Sequence, residues 1–135
     1  MINMSHELGV MSQEKTTIKT FTDLFAWQMA HKLAIKIYEA TKNFPSSEQF
    51  GLTNQIRRAA VSVTSNIAEG FGRRTAADRL HFYDMSRASL SEAQSQTYLA
   101  RDVKYLDEVN FSELIEMSTT VHKLLTGLIN KTRGV

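Results

Sequence analysis

Apolar residues recur at three- and four-residue intervals through four stretches of this chain, the spacing of helices that bury one face. In the first stretch Leu24, Trp27, Ala30, Ala34, Ile37 and Thr41 form the stripe, widened by Ala26, Leu33 and Tyr38. Thr22 or Asp23 is placed to cap its orphan N–H groups, with Phe21 folding back as a hydrophobic staple. Phe44-Pro45 ends it, because proline disfavours helical backbone in the residue before it. Ser46-Ser47-Glu48-Gln49 then reads as a capping box. The second stripe is Leu52, Ile56, Ala59, Ala60, Val63 and Ile67, with a stop predicted at Gly70-Phe71-Gly72 in a left-handed cap. Thr75 opens a third stretch, with Asp78 complementing the helix dipole and Phe82, Ser86, Ser89, Ala93, Gln96 and Ala100 as its stripe, flanked by Met85, Leu90 and Leu99. The fourth opens at Asp107 or Asn110 and carries Leu114, Met117, Val121, Leu124, Leu125 and Leu128, with Lys131 and Arg133 at the end where the dipole favours cations.

Four helices with short connections predict antiparallel neighbours, hence an all-α, up-down-up-down four-helix bundle. No hairpin dipeptide stands between alternating runs, so no strand is predicted. Residues 1–20 hold no sustained period and read as a flexible N-terminal tail, leaving residues 21–135 for the bundle.

The second stretch departs from ordinary surface-helix composition. Ser62, Val63, Thr64, Ser65 and Asn66 have lower helix propensity than Leu, Glu or Lys, but they are small. That trade suits a helix that must approach its neighbours closely. A polar stripe of Arg58, Ser62, Ser65 and Glu69 runs along one face at spacings of four, three and four.

Composition adds exclusions. With 135 residues there is room for one domain, and with no cysteine neither a disulfide framework nor a thiolate metal site is available. No apolar run approaches the roughly 20 residues of a membrane span. His6, Glu7, Gln13, Glu14 and Lys15 interrupt any signal-peptide core, so a cytoplasmic location is the expectation. A formal net charge of +2 is small for a dedicated nucleic-acid binder, which throws the question onto where the charges sit.

The residues Phe21, Asp23-Leu24, Trp27-Gln28 and Ala30, then Ile37-Tyr38, Phe44-Pro45, Glu48 and Phe50-Gly51-Leu52, compose a recognisable pattern. Its densest part runs through Gln55-Ile56-Arg57-Arg58-Ala59-Ala60-Val61-Ser62-Val63 and Ser65-Asn66-Ile67-Ala68-Glu69-Gly70-Phe71-Gly72-Arg73, followed by Phe82, Ser89-Leu90, Glu92 and Leu106. Over about residues 21–131 this resembles the 23S rRNA intervening-sequence proteins, some of which are encoded by insertions inside large-subunit ribosomal RNA genes. The resemblance implies a four-helix bundle assembled into a ring-shaped homo-oligomer, typically a pentamer, with no established enzymatic reaction. It also implies similarity to accessory proteins of diversity-generating retroelements, which bind nucleic acid and a reverse transcriptase. Met85-Ser86-Arg87-Ala88 departs from the family's more aliphatic, glycine-containing run before Ser89, which bears on how the second and third helices pack.

Arginine carries the best functional lead. Between Gln55 and Arg101 stand Arg57, Arg58, Arg73, Arg74, Arg79, Arg87 and Arg101 with no lysine, against Glu69, Asp78, Asp84 and Glu92. A guanidinium is a planar fork suited to phosphate and to buried carboxylate alike. Arg73, Arg74 and Arg79 flank a glycine break and a helix start, where exposed N–H groups add to the charge, and they are the candidate nucleic-acid contacts. Plain surface is the competing reading. Arg57 and Arg58, with Asn66, Glu69 and Glu92, fit structural polar or oligomer contacts better, through pairing that fixes helix or subunit register. Glu69 and Glu92 could in principle do acid–base chemistry, yet no histidine or serine stands with them in a recognised spacing. A di-metal bundle site needs two Glu-x-x-His motifs, and Asp78-Arg79-Leu80-His81 is one imperfect copy. Trp27 could stack a base, but its place on an apolar stripe fits a core role.

The expected protein is therefore non-enzymatic, with no cofactor and no metal. It is an oligomer touching RNA or DNA phosphates, or a ring-shaped scaffold or reverse-transcriptase accessory subunit without nucleic-acid contact.

Overall fold

The periodic stretches form four helices in the computed structural model, which describes residues 17–135. They are α1 (Phe25–Thr41), α2 (Leu52–Phe71), α3 (Ala76–Asp102) and α4 (Glu108–Arg133), and no strand occurs among the described residues. Of the segment expected to be a tail, residues 1–16 lie outside the described residues. Ile18 packs against the core, and Thr20 caps a single 3-10 turn, Phe21–Asp23.

Local chemistry explains each boundary. The Asp23 carboxylate accepts from Lys19 N and Thr20 N at 2.9 and 3.0 Å, and these bonds hold its pKa below the ordinary carboxylate value. Neither Thr22 nor Asp23 caps α1 itself: Leu24 is its N-cap residue and supplies no side-chain bond. The expected capping box at Ser46 is replaced by a second 3-10 turn, Ser46–Glu48, and Glu48 does the capping. One Glu48 oxygen accepts from Leu52 N at 3.0 Å and the other from the Tyr105 hydroxyl at 2.9 Å. This carboxylate thus ties the start of α2 to the α3–α4 turn, and the Leu52 N–H, then the Tyr105 hydroxyl, hold its pKa below the usual value. Thr75 and Asp107 cap α3 and α4 as the sequence predicts, accepting from Asp78 N and Asn110 N at 3.1 and 2.8 Å.

Helices consecutive in sequence pack on one another, and α1 packs on α4 to close the circle. Antiparallel order follows from which ends meet. Arg57 near the start of α2 reaches Thr41 at the end of α1, Gly70 near the end of α2 lies against Tyr83 near the start of α3, and the Tyr98 and Phe111 rings meet at 5.1 Å. Leu33, Ile37, Ile56, Val63, Ile67, Leu90, Leu114, Val121, Leu125 and Ile129 fill the centre.

The α2–α3 seam is made of small residues. Ser86, fully buried, donates to the Val63 carbonyl at 2.7 Å, a bond from one helix onto the backbone of the next. Ser62 and Ser89 share a hydrogen bond of 2.8 Å, and Asn66 donates to the Ser62 carbonyl and hydroxyl at 2.9 and 3.0 Å. Phe82, Ser89 and Gln96, expected in the α3 stripe, sit at its margins, and Tyr83, Leu90 and Thr97 take the buried places. Ser86, Ala93 and Ala100 are buried as the pattern predicts, and the other three stripe positions are off by one residue because so few positions in this helix are strongly apolar.

The glycine break also works differently from the expectation. Gly72 has φ −78°, so no left-handed cap forms there. A Cβ on Gly70 would stand 2.6 Å from Tyr83 Cε1, and glycine is needed for that close approach. The left-handed cap occurs instead at Gly134, φ 83°, which ends α4.

Two consequences can be measured. Gly70→Ala forces the Tyr83 ring aside and is expected to destabilise by about 1–3 kcal/mol, as overpacking does. Gly127→Ala, where a Cβ meets nothing within 4 Å, is expected to stabilise by about 0.5–1 kcal/mol through helix propensity. Urea unfolding of both checks the contrast, which equal shifts of one sign would contradict. For Glu48 the folded pKa is depressed, so its contribution is present above the ordinary glutamate pKa and fades as pH falls through that value and below it. Glu48→Gln is therefore expected to lower stability at neutral pH and to flatten stability against pH on the acid side.

The basic end of the bundle as candidate functional site

The α2–α3 turn holds the three candidate arginines in unequal states. Arg73 pairs with Glu69 at 3.0 Å, and its guanidinium lies 4.5 Å from the centre of the Phe82 ring. Its backbone carbonyl accepts from Arg79 Nε at 2.8 Å, while the Arg79 guanidinium sits 5.7 Å from the Phe71 ring centre. The turn is thus braced by two arginine–aromatic contacts and one arginine–carbonyl bond. Arg79 spends one N–H on that bracing and keeps its terminal nitrogens. Arg74 is exposed and enters no ion pair among the described residues. Ala76 and Ala77 beside them are exposed, and as first-turn residues their N–H groups have no intrahelical acceptor.

Folding adds two cations that the sequence reading did not attach to this site. Lys123 and Lys131 on α4 stand with Arg74 and Arg79 around a cleft of about 1110 Å³ at the end of the bundle. Its floor is apolar, made by Leu24, Phe71, Tyr83, Leu124 and Leu128, and no aspartate or glutamate among the described residues lines it. None of the four cations is in an ion pair among the described residues. Burial pushes the Tyr83 hydroxyl pKa up, and the Arg79 charge works against that rise. Placing Lys131 at the last turn by the dipole argument was the one available sequence signal. Lys123 gave none.

The remaining candidates lie elsewhere. Arg57 donates to Thr41 Oγ1 at 2.8 Å and to the Tyr38 carbonyl at 3.3 Å, and stacks 4.6 Å from the Tyr38 ring centre. It satisfies carbonyl ends of α1, a structural role. Arg58 is exposed beside it, in a shallow depression of about 520 Å³ shared with Tyr38, Asn54, Val61 and Ser62. Asn66 belongs to the serine seam. Glu69 is more than half exposed and holds Arg73; Glu92 is exposed and accepts from Gln96 at 3.2 Å. These two carboxylates are therefore outside the core, and neither contacts Arg57 or Arg58. Trp27 is sandwiched by its own chain, stacked on His31 at 4.7 Å and edge-on to Phe21 at 5.3 Å. Among the described residues no three His, Asp or Glu side chains converge as a metal site would require, and no helix is long and apolar enough to cross a membrane.

One surface feature escaped the sequence reading. Phe82, Met85, Ser89, Glu92, Gln96, Leu99 and Val103 follow one another at alternating steps of three and four, the heptad spacing of a coiled-coil seam. This stripe runs along the outer side of α3, with Met85, Leu99 and Val103 42%, 51% and 43% exposed. Gln96 Oε1 lies buried in it with no hydrogen-bond partner.

Comparison with other proteins agrees with the architecture. A solved structure from Bacteroides thetaiotaomicron, described as a protein of unknown function from the S23 ribosomal protein family, superposes with a TM-score of 0.69 at 21% identity, covering 77% of this chain and 97% of its own. At that identity the likeness concerns the fold. No curated protein matches the chain. The sequence profile of the 23S rRNA-intervening sequence proteins matches residues 22–127, and the chain belongs to that family.

Proposed function

We propose that the protein is a non-enzymatic homo-oligomer, a pentamer, that binds RNA or DNA through phosphate contacts at the basic end of the bundle. The observation that carries the reading is the gathering of Arg74, Arg79, Lys123 and Lys131 with no aspartate or glutamate side chain among the described lining residues, beside Arg73 and the open first turn of α3. Arg73 takes part by exchanging Glu69 for phosphate, since a half-exposed ion pair is worth little and is readily replaced. A closed ring would repeat this patch around its axis, so a chain of small net charge presents a locally strong field. Among the described residues no Phe, Tyr or Trp ring is exposed at this end: Phe71 and Phe82 are partly buried and Tyr83 is buried. Binding is phosphate-driven and indifferent to sequence.

Assembly would use the outer stripe of α3, whose exposed Met85 and Leu99 are the apolar content of a seam awaiting a partner helix, together with the polar stripe of α2. The same stripe favours the second reading, in which the ring is a docking scaffold or reverse-transcriptase accessory subunit and the cations are surface.

Light scattering at micromolar concentration is expected to give a closed assembly of five. Met85→Glu with Leu99→Glu is expected to shift it to smaller species without loss of helix content, and a monomeric parent overturns the proposal. Fluorescence anisotropy with single-stranded RNA, single-stranded DNA and duplex DNA tests the ligand. Log affinity is expected to fall by about 0.9 per log unit of salt for each duplex phosphate neutralised. Arg73→Ala/Arg74→Ala/Arg79→Ala is expected to flatten the duplex slope by up to about 2.7 with the oligomer intact. An unchanged slope moves the site elsewhere, and no binding by either protein leaves the scaffold.

A further inference from the structure

The cleft has properties that phosphate binding does not use. It is larger than a phosphate contact needs: about 1110 Å³, just above the roughly 300–1,000 Å³ of small-molecule pockets. The cations stand around an apolar floor. Leu24, Phe71, Leu124 and Leu128 present hydrocarbon, and the Tyr83 ring closes the inner wall. From Lys123 to Thr132 the α4 side of the cleft runs about 14 Å at 1.5 Å per residue, a channel rather than a spot.

Gly127 is an independent observation. It lies inside α4, in the wall of this cleft, at a position where glycine weakens the helix. A Cβ there would meet nothing within 4 Å, so no neighbouring side chain of the protein requires the space. This differs from Gly70, whose missing Cβ is filled by Tyr83. The effect of Gly127 is to leave the channel open at its middle, between Lys123 and Lys131.

We propose that the cleft is a binding site for an anionic amphiphile, a long-chain carboxylate whose alkyl tail lies on the apolar floor and whose head meets the cationic rim. Charge complementarity selects the anion, since the rim holds Arg74, Arg79, Lys123 and Lys131 and, among the described residues, no acidic side chain. The hydrocarbon of Leu24, Phe71, Leu124 and Leu128 selects the tail. This goes beyond the nucleic-acid reading. The two share the four rim cations, Arg74, Arg79, Lys123 and Lys131, but Gly127 and the apolar floor belong to the cleft alone.

The test uses the full chain and decanoate below its micelle concentration, with calorimetric titration and thermal unfolding as readouts. Butyrate supplies the same head without the tail, and decyl maltoside supplies the tail without the charge. Decanoate is expected to bind once per chain and to raise the Tm, with both controls at least tenfold weaker. Gly127→Phe is expected to fill the channel and reduce decanoate affinity at least tenfold while keeping helix content, assembly size and RNA affinity. Lys123→Ala/Lys131→Ala is expected to weaken decanoate several-fold and leave decyl maltoside unchanged. Absence of decanoate binding to the parent, equal binding of butyrate, or undiminished binding by Gly127→Phe overturns the proposal. Gly127→Phe that changes the assembly size assigns the cleft to a second copy instead, and one that loses RNA binding assigns it to nucleic acid. Either result overturns it, and neither bears on the arginine-turn reading in the same direction.

Discussion

The close approach of α2 and α3 is the constraint on which the rest depends. A serine hydroxyl on one helix can reach a mid-helix carbonyl of the next only if the two backbones lie unusually near, and Ser86 does this to Val63 at 2.7 Å. Every feature of the seam serves that distance: serines at Ser62 and Ser89, alanines at Ala59 and Ala93, and a glycine at Gly70 where the Tyr83 ring crosses. Helix propensity is given up for proximity, and tertiary packing offsets the loss. With α2 and α3 held this close, the chain between them has only a short turn, Gly72 to Thr75, in which to reverse. Arg73 and Arg74 are carried on that turn, and Arg79 folds back to brace it. The basic end of the molecule is thus a consequence of the seam.

Helix positions were legible in the sequence because period, proline and the caps at Thr75 and Asp107 agree with one another. The failures have specific physical causes. Gly70-Phe71-Gly72 looked like a left-handed stop because glycine near a helix end usually is one, and nothing local distinguishes a glycine chosen for conformation from one chosen for the Tyr83 contact. Glu48 was read as part of a capping box, whereas its second oxygen is fixed by Tyr105, a partner 57 residues away. In α3 the small stripe residues Ser86, Ala93 and Ala100 are legible, while Phe82, Ser89 and Gln96 stand one position from the buried Tyr83, Leu90 and Thr97 because a helix with only two large buried residues gives a weak pattern.

The candidate site was half legible for a related reason. Arg73, Arg74 and Arg79 are close in sequence and could be seen together. Lys123 and Lys131 join them only when α4 returns antiparallel to α3, and neither has a local signature. The carboxylates show the converse. Glu69 and Glu92 are expected to pair with Arg57 and Arg58 within or between subunits; within the chain Arg57 is instead satisfied by Thr41 and the Tyr38 carbonyl, and both acids face outward. What the bundle presents is a cationic end with an apolar channel and, along α3, a heptad-spaced stripe. The two surfaces adjoin at Phe82, which heads the stripe and lies under the Arg73 guanidinium.

Amide hydrogen exchange with and without single-stranded RNA tests the central claim, that the end of the bundle built by the α2–α3 turn is the ligand-binding surface. The account predicts added protection in residues 72–80, with a smaller effect over 123–131 of α4. Protection confined to the outer stripe of α3, with residues 72–80 unchanged, would contradict it.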